Sequence, residues 1–191
     1  FGNMGLPLCL FAFGEEGLAI GLGIFLTTTI AHFSFGAAVL SGKAMVKGVL
    51  SSPIIYAGII ACLLIFNNWH LPVSLQNTLG LLGGLSIPLM LITLGVSLSS
   101  LKLQEAKKSV GLGVLKLIVG LAGGFAAVYF LNLEGLERKV VLLQAATPAA
   151  VFNYLLAMQY KREPDVVAGM VVSSTLISFI SIPVLLYFLG V

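Results

Sequence analysis

The chain has 191 residues, of which 59% are hydrophobic and only 9% charged, with a net charge of +3 and a mean hydropathy of +1.10. Soluble domains are about 45–50% apolar and about 25% charged, so most of this surface faces lipid and a soluble globular domain is excluded. The cations form no stripe interleaved with aromatic residues, which removes nucleic acid as a partner.

A helix needs about 20 mostly apolar residues to cross about 30 Å of hydrocarbon, and backbone groups in lipid must pair within their own segment. The opening run FGNMGLPLCLFAF gives a partial span that ends at Gly14-Glu15-Glu16-Gly17. Phe1 stands inside that apolar run and no signal peptide precedes it, so the sequence reads as an N-terminally truncated fragment. Six full spans follow, over residues 17–40 and then about 49–66, 78–98, 110–131, 138–160 and 166–189. Loops between them are short, leaving no room for an inserted soluble domain. Cys9 and Cys62 fall inside apolar runs and read as inert buried thiols. No Cys, His, Asp or Glu cluster has metal-ligand spacing, and no cofactor is expected.

Alternating crossings put Lys43, Lys47, Lys102, Lys107, Lys108, Lys161 and Arg162 on one side, against Arg138 and Lys139 on the other. The positive-inside rule assigns the first side to the cytoplasm and turns the C-terminus outward. Three glycine pairs at four-residue spacing, Gly17/Gly21, Gly80/Gly84 and Gly120/Gly124, are each candidates for close helix approach.

Sliding the start of the chain forward by 146 residues aligns Thr27-Thr28-Thr29 with Ser173-Ser174-Thr175, and Gly23 with Gly169. The same shift lays Glu15-Glu16 on Lys161-Arg162. A cationic loop in one copy and none in the other is what two copies of opposite orientation require. Inverted repeats mark secondary transporters, whose sites form where discontinuous helices meet at mid-membrane.

The sixth span carries such a discontinuity. In LLQAATPAAVFNYLLAMQY, Pro148 has no N–H and its ring opposes the carbonyl of Gln144. Backbone groups freed at that depth persist only if capped or if they line a wet cavity. Thr147, Pro148, Ala149 and Asn153 are therefore candidate ligand-binding residues. In the first copy, GNMGLP supplies Asn3, Gly5 and Pro7, a composition that predicts a second unwound stretch. Two facing half-helix N-termini suit an anion without a fixed cation. Pro88 is a candidate kink, His32 a neutral, hydrogen-bonded imidazole, and Lys116 a side chain that snorkels back to the headgroups. No Asp or Glu lies inside a span, so the intramembrane carboxylate usual in cation-coupled antiporters is missing from this stretch.

These motifs, with SIPLMLITLGVSL and VVSSTLISFISIPVLL, resemble the auxin efflux carrier family of membrane transport proteins in its bacterial branch, over essentially the whole chain. The resemblance implies an all-α integral membrane fold of two inverted five-helix repeats with crossed discontinuous helices, akin to sodium/proton antiporters and bile-acid symporters. It places this chain from the second half of the family's fourth helix through its tenth. Residues 1–40 would close the first repeat, 49–99 would be scaffold, and 109–191 would complete the transport part. An elevator-like motion would carry an organic anion held at Asn3 to Pro7 and Thr147 to Asn153. Bacterial relatives are linked to small carboxylates such as malonate or malate.

The expected function is an exporter of a small organic anion in the inner cell membrane. Its partners would be that anion, the bilayer and a second copy docked through the scaffold helices. A sodium-coupled symporter of the same fold is the alternative. A membrane enzyme would need a nucleophile–base pair at one depth, and His32 and His70 are the only histidines. A sensor built on the fold is the third reading.

Overall fold

A computed structural model describes residues 2–32, 53–67, 69, 71–100 and 106–191, and every described element is helical. In chain order these are α1 (Gly2–Ala31), α2 (Pro53–Phe66), α3 (Val73–Ser100), α4 (Ala106–Phe130), α5 (Gly135–Ala145), α6 (Val151–Gln159) and α7 (Pro164–Phe188). Lys43, Lys47, His70, Lys102 and the last third of the 17–40 span, residues 33–40, lie outside the described residues. Proline opens both α2 and α7, where its missing N–H would be unpaired in any case.

α1 is not one rod. Gly14 has φ 68° and ψ −162°, a conformation that glycine adopts without a Cβ penalty. A methyl group on Gly21 would stand 3.1 Å from the Cys9 sulfur, whereas twelve residues of straight helix span about 18 Å. The chain therefore turns back at Gly14, and residues 2–13 and 15–31 are the two arms of a hairpin. The sequence reading of two spans parted at Gly14-Glu15-Glu16-Gly17 matches this.

The chain divides into two compact units, Phe1–Leu22 with Ile87–Val191, and Gly23–Ser86. In the smaller unit Gly58 of α2 faces Leu26 of α1, with 3.2 Å left for a methyl group. The larger unit is built on α4 and α7. Lys108 pairs with Glu163, the Ser173 hydroxyl donates to the Ser109 carbonyl at 3.1 Å, and Gly113 admits Ser173 and the Ser174 backbone. Residue numbers rise together along these contacts, so α4 and α7 run parallel. Against α5 the order reverses: Gly120 meets Ala145 and Gly124 meets Leu142, so α5 is antiparallel to α4.

Among the described residues, most of α3, α4 and α7 are each long and apolar enough to cross a membrane, and the two arms of α1 together have the same apolar character. Their outward faces are apolar: Leu81 and Ile92 of α3 are 75% and 61% exposed. Tyr129-Phe130 and Tyr187-Phe188, each an edge-to-face pair, close α4 and α7 at the same end. Exposed aromatic side chains at that level match the interfacial belt of a bilayer. The chain is a multi-pass membrane protein.

Candidate functional site

The span predicted over 138–160 is two helices. α5 stops at Ala145, residues 146–150 are not helical, and α6 starts at Val151. Proline 148 accounts for the stop. The Gln144 carbonyl, which Pro148 cannot serve, accepts instead from the Thr147 N–H at 3.3 Å and from the Thr147 hydroxyl at 2.6 Å. Downstream, the Ala149 N–H donates to the Ser174 hydroxyl at 3.1 Å, and the Asn153 N–H donates to the Ala150 carbonyl at 3.0 Å. Thr147, Pro148 and Ala149 are buried. The break survives in an apolar setting because neighbouring groups hydrogen-bond what the helix gave up.

The Thr147 carbonyl is covered by the ammonium of Lys116, from α4. This corrects the snorkelling expected of that lysine. The helix begins at Ala106, not near Val110, so Lys116 is ten residues inside it, about 15 Å from that end at 1.5 Å per residue. A lysine stem cannot cover that distance. The ammonium instead takes the nearest carbonyl left open by the break, and the site holds a fixed cation after all.

Gln144, in the last turn of α5, joins the break to the opening of the chain. Its side chain is 2% exposed. The amide nitrogen donates to the Cys9 sulfur at 3.5 Å. A methyl group on Gly5 would collide with its Oε1, and one on Gly21 would stand 3.3 Å from its Nε2. Gly5 thus matters because it admits this carboxamide. Among the described residues Gln144 Oε1 has no hydrogen-bond partner.

The other first-copy residues are placed differently from expectation. Residues 2–13 are helical, so Asn3 to Pro7 is not an unwound stretch. The missing N–H of Pro7 removes a single bond, to the Asn3 carbonyl, and the glycines serve helix packing rather than unwinding. Pro7 is buried. Asn3 is exposed and donates to the Thr93 hydroxyl on α3 at 3.4 Å, while the Ser178 hydroxyl lies 3.8 Å from the Met4 sulfur. Asn153 is half-buried in the first turn of α6, and no hydrogen bond among the described residues joins it to Asn3. Lys116, Gln144 and Ser174 are the site residues that the sequence reading missed. For Ser174 the one available signal was a run of three hydroxyl residues inside a span.

Ser174 is fully buried, and Ser174→Ala would leave the Ala149 N–H bare. A loss of about 1 kcal/mol is expected, read as a lower melting temperature of the full-length protein in detergent; Ser174→Thr, which keeps the hydroxyl, should lose less.

A family model described as membrane transport protein matches residues 37–186. The chain is 29% identical over 189 residues to an uncharacterised transporter of Methanothermobacter thermautotrophicus, covering 95% of this chain and 62% of that protein. A transporter of Methanocaldococcus jannaschii is 28% identical over 196 residues, with the same two shares of 95% and 62%. Auxin efflux carrier component 8 of Arabidopsis thaliana is 29% identical over 139 residues, covering 69% of this chain and 38% of its own length. The chain therefore spans about three-fifths of the length of the two archaeal relatives. These relatives are archaeal and plant proteins and do not place the chain on a bacterial branch. No solved structure matches it.

Proposed function

Since this chain belongs to the membrane transport protein family, whose relatives are named transporters and not enzymes, we propose that it forms the substrate-binding part of a secondary carrier for a small organic anion. The observation that carries this reading is the broken span: five buried or half-buried residues between α5 and α6, held against α1 through Gln144 and bearing a lysine ammonium. Backbone polarity and positive charge at one depth suit an anion, and the N-terminus of α6 adds its dipole.

The course of the chain supports an inverted repeat. The 146-residue offset pairs residues 5–13 with α6 (Val151–Gln159), and each is followed by a turn and a long helix. Met4 lies by Ser178, and Ala12 and Phe13 line a cavity of about 490 Å³ with Gly190. The first arm of α1 is thus parallel to α7. α6, whose upstream neighbour Ala149 bonds Ser174 while its far end turns into α7, is antiparallel to both. In the proposed carrier, residues 1–40 and 109–191 move the anion past a scaffold of 49–99, through which two copies pair. Lys107, Lys108, Lys161 and Arg162 face the cytoplasm and the C-terminus faces outward across the cell membrane. The name of the plant relative, an efflux carrier, supports export.

Full-length protein reconstituted in liposomes tests this. Vesicles preloaded with malonate should take up labelled malonate saturably, with inhibition by other small carboxylates, little inhibition by their neutral amides, and no loss on omitting sodium. Absence of carboxylate flux across a panel of such acids would end the reading, and dependence on sodium would favour the symporter.

A further inference from the structure

We propose that Lys116 is the counter-charge of the bound anion: its ammonium rests on the Thr147 carbonyl in this conformation and passes to the carboxylate when the anion enters the break. The inference rests on the anion-carrier reading and adds the group that selects for charge.

Three observations support it. The ammonium is already at the break, bonded to a backbone carbonyl of the residue before Pro148. α4 cannot drift from that place, because Gly120 and Gly124, one and two turns beyond Lys116, lie against Ala145 at the end of α5. The lysine is also deep, ten residues after Ala106 and fourteen before Phe130, or about 15 Å and 21 Å from the two ends of α4. Among the described residues the acidic side chains, Glu15, Glu16, Glu134, Glu137, Glu163 and Asp165, stand beside turns and helix ends rather than in mid-span.

Energetics give the exchange its direction. A carbonyl offers an ammonium only a dipole. A carboxylate offers a full charge, and the direct Coulomb attraction between the two ions adds to the hydrogen bond that either acceptor can make. Burying either ion alone is costly, whereas burying the pair is tolerated. The occupied site would then be close to neutral for a single carboxylate, which is the form that crosses lipid at least cost.

Malonate, malonamate and malonamide share a shape and differ in charge, and their inhibition of labelled-malonate counterflow gives the test. Full-length Lys116→Gln keeps a donor for the Thr147 carbonyl but loses the charge, and Lys116→Arg keeps the charge. The unsubstituted protein should prefer malonate to malonamide. In Lys116→Gln that preference should shrink about tenfold or more, and in Lys116→Arg it should persist. A purely structural cap would lower total flux without changing the preference. Retention of the full preference in Lys116→Gln, or its loss in Lys116→Arg, would overturn the inference and leave the anion-carrier reading standing. No preference for malonate in the unsubstituted protein would overturn both.

Discussion

Replacing Gly120 by alanine is expected to cost about 3 kcal/mol of stability, while the same replacement at Gly123, on the next turn of α4, should change stability by less than about 0.5 kcal/mol. A methyl group at Gly120 would stand 2.5 Å from the Ala145 carbonyl oxygen. That atom belongs to a backbone fixed by the end of α5 and cannot rotate away. At Gly124 the methyl would meet the Ala145 side chain at 2.6 Å and Leu142 at 3.6 Å, and at Gly123 it would meet nothing within 4 Å. Small residues let membrane helices approach closely, and here the approach brings α4 to the break. Gly120→Ala should therefore also pull Lys116 from the Thr147 carbonyl and reduce malonate flux beyond what lower yield explains. Melting of full-length variants in detergent checks this. Equal melting temperatures for Gly120→Ala and Gly123→Ala would mean that α4 does not press on α5.

These glycines show where sequence reading reached and where it stopped. Spacing alone marked Gly17/Gly21, Gly80/Gly84 and Gly120/Gly124 alike. The first pair faces Phe13, Cys9 and Gln144, the third faces α5, and Gly80 and Gly84 meet nothing within 4 Å. Four-residue spacing puts two glycines on one helix face but says nothing about what that face meets. Spans were legible because lipid imposes length and composition, and the break was legible because proline acts on its own local bonding. Both are local rules. The contact of Gln144 with Gly5 and Cys9 joins residues more than 130 apart, and nothing near position 144 announces it. Lys116 was misread for a narrower reason: placing the helix start four residues late made a deep lysine look shallow. The unwound stretch predicted for Asn3 to Pro7 failed because glycine composition was read as backbone freedom when it serves close packing.

Asn153→Ala is expected to lower malonate flux about 10- to 100-fold at low substrate, with membrane insertion unchanged. Asn153 stands in the first turn of α6, half-buried, three residues beyond the non-helical stretch. Its backbone N–H is already committed to the Ala150 carbonyl, which fixes the start of the helix without help from the side chain. The carboxamide can therefore be removed without uncapping α6. A hydrogen bond to a charged group contributes about 1.5–3 kcal/mol, and each 1.4 kcal/mol is a factor of ten, which sets the expected range. Asn153→Asp gives the sign of the cargo. It keeps the shape and adds a negative charge beside the break, so an anion should be excluded more strongly than by Asn153→Ala, whereas a cationic cargo would move faster. Normal flux in Asn153→Ala at normal expression would remove this residue from the site. Faster flux in Asn153→Asp would reverse the charge assigned to the cargo, and with it the role given to Lys116.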